Sequence, residues 1–185
     1  DYFRALDWLQ KNKPARKVVL FLGSNIGNFE SAESQDFLSR IRQYLQPGDK
    51  VLMGFDLRKD PHQIRPAYDD AAGVTAAFNL NLLKRMNREL GADFNLDQFT
   101  HFTDYDPLNG VVKSYLVSKK AQTITFSKLN ASVSLEAWEA IHTENSHKYT
   151  PAQIETLGKE SGLEIEQLFT DDRHYFADVL FRVSA

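Results

Sequence analysis

The chain has 185 residues, a net charge of −3 and no cysteine. Those values allow one ordinary domain with an insertion, and they exclude disulfides, thiolate metal sites and a cysteine nucleophile. Basic residues are dispersed and no apolar run is of membrane length, so nothing points to nucleic acid or lipid as a partner, and a cytoplasmic protein is expected.

Residues 2–12 read as a helix with Phe3, Leu6 and Leu9 on one face, ended by Pro14. Residues 18–22, VVLFL, alternate no polarity. They read as an inner parallel strand covered on both faces. Gly23-Ser24-Asn25-Ile26-Gly27-Asn28 breaks that strand at its carboxyl end, where ligands of open α/β sheets bind. Ser31 is expected to cap a helix carrying Phe37, Leu38, Ile41 and Leu45. After the turn at Pro47-Gly48-Asp49, residues 50–56 form a second buried strand and complete a βαβ unit.

Residues 58–73, with Pro61 and Pro66, read as loop. Thr75 opens a helix with Phe78, Leu82, Leu83, Met86 and Leu90 inward and an unusual number of asparagines. Residues 94–107 look aromatic and irregular. Residues 111–117, 123–128 and 138–149 read as strands of one antiparallel sheet. Thr150-Pro151 is a cap followed by a first-turn proline. Ile154 and Leu157 point inward and Gly162 ends this helix. Residues 163–169 and 176–183 form a closing hairpin that returns to the parallel sheet. The expected division is 1–58 and 149–185 as a core, with 59–148 as an inserted lobe.

Four segments occur in one order: FLGSNIGNF (21–29), GFDLRKD (54–60), AYDDAAGVTAAFNLNLLKRMNRELGADF (67–94) and HTENSHKYTP (142–151). Together they resemble the histidine-specific, S-adenosylmethionine-dependent methyltransferases, over nearly the whole chain. The resemblance implies an α/β fold: the carboxyl-terminal part of a Rossmann-like class I methyltransferase sheet with an inserted α+β substrate-binding lobe. It implies methyl transfer from S-adenosylmethionine to the α-amino group of an amino acid, L-histidine before others, as in hercynine formation for ergothioneine. No GxGxxG-like turn is present, and the family's main cofactor segment lies upstream of the matching residues. The chain therefore reads as part of a longer enzyme, inactive alone, with residues 18–22 at an unpaired sheet edge and self-association through that edge expected.

The same resemblance assigns Asn28, Tyr68, Glu144, Asn145 and Ser146 to the substrate and Gly23 and Ser24 to the cofactor. From the residues alone, Asn28, Gly23 and Ser24 are equally turn formers, and Tyr68 a half-buried packing residue. Glu144 and Ser146, two apart, share one strand face. There they serve either as an exposed polar pair or as an acceptor and a hydroxyl for the two nitrogens of an imidazole. Asp69 and Asp70 read as capping groups, and Arg58-Lys59 and Lys119-Lys120 as solvated charges. Ser114 stands where the family places a larger apolar side chain near the imidazole, which keeps tryptophan open as a substrate. His62, His101, His142, His147 and His174 form no metal-binding spacing. No covalent nucleophile is needed. An inert fragment and a module that binds an amino acid without methylating it are the competing readings.

Overall fold

The computed structural model describes residues 2–13 and 15–183. Pro14, read as the end of the first helix, lies outside them. Contacts divide the chain into two compact units, 1–59 with 146–185, and 60–145.

The first unit holds α1 (Tyr2–Asn12), β1 (Val18–Phe21), α2 (Ser31–Gln43), β2 (Lys50–Asp56), α5 (Pro151–Glu160), β8 (Leu163–Thr170) and β9 (Phe176–Val183). Its sheet runs β1-β2-β9-β8. β1 and β2 are parallel, while β9 runs antiparallel to both β2 and β8. Val51, Met53 and Phe55 of β2 and Val179 and Phe181 of β9 are wholly buried. They pack with Leu38, Ile41 and Ile154 into one apolar cluster. α5 starts as read: Thr150 and Gln153 form a reciprocal capping box with Pro151 at the first turn.

Two readings of this unit are corrected. β1 is covered on one face only. Phe21 is buried, but Val18, Leu20 and Leu22 are 60%, 61% and 46% exposed. β1 is the edge of its sheet, and Val18 and Leu20 register with Lys50 and Leu52 on the face away from the core cluster. An unbroken apolar run records hydrophobicity on both faces, not what covers each one. The cap of α2 falls on Glu30, not Ser31; the Glu30 backbone N–H donates to the Glu33 carboxylate at 2.9 Å.

The second unit contains α3 (Pro61–Tyr68), α4 (Val74–Leu90), β3 (Phe99–Asp106), β4 (Val111–Ser118), β5 (Gln122–Phe126) and β6 (Ala131–Leu135). It also holds most of β7 (Ala140–His147). Leu83, Phe94, Phe99, Leu116, Ile124 and Leu135 form its core. The strands make two sheets, β3-β4-β7 and a β5-β6 ribbon, not one.

Residues 58–73 are not all loop. Asp60 caps α3 by accepting the His62 N–H at 2.9 Å, with Pro61 in the first turn and Pro66 inside the helix. This is the same cap-then-proline signature as at Thr150-Pro151. β3 was missed because residues 99–106 place His101 and Thr103 where an apolar alternation would show. Thr103 is 3% exposed.

On α4 Leu83 and Met86 pack in the core as read, joined by Leu80, whereas Phe78 is 72% exposed. Asn79 takes the buried position beside them. Its Nδ2 donates to Thr75 O (3.1 Å) and its Oδ1 accepts from Thr143 Oγ1 (2.8 Å). Asn87 clamps the Phe94 backbone through both N–H and C=O. These bonds explain two of the asparagines: each satisfies polar groups that the fold buries.

Candidate functional site

Parallel pairing in register, Phe21 beside Met53, brings the carboxyl ends of β1 and β2 side by side. The chain leaves β1 through two consecutive left-handed residues, Gly23 (φ 77°) and Ser24 (φ 57°). Glycine adopts this freely; for serine it is unfavourable by about 1–2 kcal/mol. A hydrogen bond offsets part of that: Ser24 Oγ accepts the Asp56 backbone N–H at 3.0 Å. Above Gly23 there is room, since a Cβ there would meet only Asn25 Nδ2 at 3.5 Å. A 3₁₀ turn, Asn25–Asn28, follows with Ile26 and Gly27 buried. Asn28 ends it, exposed.

The turn rests on residues from the far end of the chain. The Tyr149 hydroxyl lies 3.3 Å from both Ile26 O and Ser34 Oγ. Burial pushes the Tyr149 phenol pKa up, and the Ser34 bond opposes that. Gly27 lies against the His147 backbone so closely that a Cβ would come 2.9 Å from its carbonyl oxygen.

At the end of β2 stands a charged cluster. Lys148, 2% exposed as a residue, places Nζ 2.8 Å from Asp56 Oδ2 and donates to Ser146 Oγ at 2.8 Å. Lys59 Nζ donates to Asp56 Oδ1 at 2.5 Å and to Tyr175 O at 2.9 Å. The Arg58 Nε donates to Lys148 O at 3.3 Å. Arg58 and Lys59 are therefore not solvated charges; they tie the end of β2 to the segment around Lys148. A buried ammonium needs such partners, because an isolated one would be strongly unfavourable.

Ser24 and Ser146 are thus connected at the ends of β1 and β2, with Asp56 linking Ser24 to Lys148 and through it to Ser146; Asn28 follows Gly27, which lies against the His147 backbone. Asp56 and Lys148 were not singled out by sequence reasoning. The available signals were an acidic residue closing a buried strand and a lysine two residues after Ser146.

Tyr68, Glu144 and Asn145 belong to the second unit. Tyr68 is half-buried at the end of α3, and its carbonyl accepts from Thr103 Oγ1 at 3.1 Å. Thr103 registers with Ser114 across β3 and β4, and Ser114 O accepts from Thr143 Oγ1 at 3.0 Å. This places Ser114, 2% exposed, on the buried face of its strand. Glu144 is half-buried on β7, and Asn145 Oδ1 lies 2.9 Å from the His142 ring nitrogen. Thr103 Oγ1 also touches the His101 ring, whose pKa burial lowers while Asp69 and Asp70 oppose.

Asp70 is a cap: its carboxylate accepts the N–H groups of Val74 and Thr75 at 2.9 and 2.8 Å. The Thr75 bonds and then the Val74 bond hold its pKa down to about 2. The cap is complete above the ordinary carboxylate range and is lost as pH falls toward that value. Among the described residues, no group of three or more His, Asp or Glu is arranged to hold a metal, and no helix is long and apolar enough to cross a membrane.

The family described as histidine-specific methyltransferase, SAM-dependent, matches residues 1–183. The chain is 43% identical over 156 residues to the histidine N-alpha-methyltransferase of Mycolicibacterium smegmatis, covering 84% of this chain and 49% of that protein. It is 36% identical over 157 residues to the protein of the same name from Mycobacterium tuberculosis, again 49% of that protein. With ergothioneine biosynthesis protein 1 of Neurospora crassa it shares 30% identity over 174 residues, 91% of this chain and 19% of the other. The chain spans about half the length of the two mycobacterial relatives.

Proposed function

This chain belongs to the histidine-specific, S-adenosylmethionine-dependent methyltransferase family, and from that premise we propose that it supplies the substrate-holding part of an enzyme that methylates the α-amino group of L-histidine. The observation that carries the reading is the family match over residues 1–183, which includes the segment with Glu144, Asn145 and Ser146. Asn28 offers an amide donor and acceptor to an amine beside a carboxylate, and Tyr68 a hydroxyl to the same end. Glu144 accepts the imidazole N–H, Ser146 serves the other ring nitrogen, and Asn145 flanks them. The unit 60–145 is the substrate lobe in this reading.

S-adenosylmethionine supplies a methyl group on a positively charged sulfur, already a good leaving group. The residues present fit one end of it. Gly23 and Ser24 form an open backbone turn at the end of β1, and no glycine-rich turn for the remainder occurs in this sequence. What the chain's own residues do is hold the amino acid so that its amine lone pair points toward the donor, an effect that is large for well-aligned partners.

Calorimetric titration tests the reading. L-histidine should bind the chain saturably, and Glu144→Ala should weaken it at least about tenfold while leaving the thermal unfolding midpoint unchanged. Unchanged histidine affinity in that variant removes Glu144 from the site. No saturable binding of histidine by the wild-type chain sinks the assignment.

The exposed side of β1 carries a second part of the proposal. Val18, Leu20 and Leu22 stand out on an edge strand with no strand on its other side among the described residues. Such an edge pairs with another chain, and this one self-associates. Sedimentation should reveal a concentration-dependent dimer that Leu20→Lys abolishes; a monomer at every concentration refutes it.

A further inference from the structure

The turn that carries Asn28 is held at one atom, the Ile26 carbonyl oxygen. It accepts the Phe29 backbone N–H at 3.3 Å, which closes the turn around Asn28. That closing bond is long, and short 3₁₀ turns have poor hydrogen-bond geometry of their own, so bonds from outside decide how the turn sits. Two hydroxyls supply them: Tyr149 Oη at 3.3 Å and Ser34 Oγ at 3.4 Å from Ile26 O, and 3.3 Å from each other. A carbonyl only accepts, so the phenol proton goes to Ile26 O. Burial raises the Tyr149 pKa and keeps that proton in place. Ser34 and Ile26 are 1% and 0% exposed, so little water competes for these bonds.

The phenol is placed by the end of β2. Asp56 donates its N–H to Ser24 Oγ at 3.0 Å, where the loop begins, and its carbonyl accepts the Tyr149 N–H at 2.9 Å. Tyr149 O accepts the Arg58 N–H at 2.9 Å, and the Tyr149 ring stands edge-on to Phe55 with centroids 5.1 Å apart. One residue of the sheet therefore sets both the start of the loop and the hydroxyl that grips its middle. We infer that Tyr149, seconded by Ser34, is a positioning residue that fixes the Ile26–Phe29 turn, and with it the place from which the Asn28 amide meets the amine and carboxylate of the substrate. The inference rests on the reading that Asn28 holds that end of the amino acid. Tyr149, Ser34 and Asn28 all belong to the first unit, whereas Glu144 belongs to the second, so the effect of the phenol separates from that of Glu144.

The test measures L-histidine binding by calorimetry on the full chain, with thermal unfolding alongside, for wild type, Tyr149→Phe, Ser34→Ala, Asn28→Ala and Glu144→Ala. Tyr149→Phe and Ser34→Ala are also each combined with Asn28→Ala and with Glu144→Ala. Tyr149→Phe keeps the ring and its packing and should weaken histidine about fivefold, with a smaller loss in the same direction for Ser34→Ala. In the Asn28→Ala background neither should lose anything further, because all three act on one contact; in the Glu144→Ala background each should keep its full loss. A folded Tyr149→Phe with wild-type affinity overturns the inference. An equal loss with and without Asn28 overturns it too, since it marks a hydroxyl that only stabilises its unit. Should Tyr149→Phe not fold, Ser34→Ala decides by the same comparison: an unmoved affinity, or a loss independent of Asn28, is fatal. Those results leave the histidine assignment standing. Unchanged affinity in Asn28→Ala removes the Asn28 reading and this inference with it, and a wild-type chain that binds no histidine removes everything.

Discussion

Asp56→Ala is expected to destabilise the first unit by about 3–5 kcal/mol, because it strips the carboxylate from a buried ammonium. Lys148's side chain is 1% exposed and Asp56's 21% exposed, and the same carboxylate also holds Lys59. The lysine cannot follow its charge into water without unpacking the segment around Tyr149, whose backbone N–H is bound to Asp56 O at 2.9 Å. For a chain of this size the melting temperature should drop by roughly 6–20 °C. Removing both charges, Asp56→Ala with Lys148→Met, should recover much of the loss, since a buried pair contributes far less than breaking it costs. Chemical denaturation measures both. A single-variant loss below about 1 kcal/mol would mean that the pair behaves like an exposed one.

Gly27→Val should cost about 2–3 kcal/mol for a different reason. A Cβ at Gly27 would sit 2.9 Å from the His147 carbonyl oxygen and 3.3 Å from its nitrogen. Both are backbone atoms, so no rotamer change relieves the clash, and overpacking of this kind is unfavourable by about 1–3 kcal/mol. The displaced residues precede Lys148 directly, so histidine affinity should fall along with stability. The sign for Gly27→Ala is the sharper check. At an open site with ordinary φ, glycine to alanine stabilises by about 0.4–1 kcal/mol; here it should destabilise. A neutral or stabilising alanine would show that the contact relaxes freely.

Much of the fold was legible because its signals are local. Helix periodicity gave α1, α2 and α5, apolar runs gave β1 and β2, and the polar turn after Phe169 gave the closing hairpin. The closing hairpin returns to the parallel pair as read: the order is β1-β2-β9-β8, with β9 antiparallel to both its neighbours. What failed depended on neighbours distant in sequence. Thr103 and Asn79 are buried polar residues whose partners, Tyr68 and Thr143, lie 35 and 64 positions away. Nothing nearby marks them as interior. Exposure of Leu20 and Phe78 likewise depends on what packs over them.

For the site, the positions at the strand ends could be named from motifs, but their connection could not. Asp56 reads as the last residue of a strand, and nothing beside Lys148 in the sequence marks it as interior. Only the folded chain shows that 90-odd intervening residues return a lysine to that carboxylate, at 2.8 Å.

The interrupted layout of the first unit has a consequence for biosynthesis. Residues 60–145 are contiguous, so the ribosome delivers all the contacts of that unit together. β2 instead lies between β1, made before it, and β9, made about 120 residues later. The middle strand must wait, half-paired, while the roughly 120 residues between β2 and β9 are made. Closure of long-range pairings of this kind is slow, so the inner unit is complete while the outer one is still open.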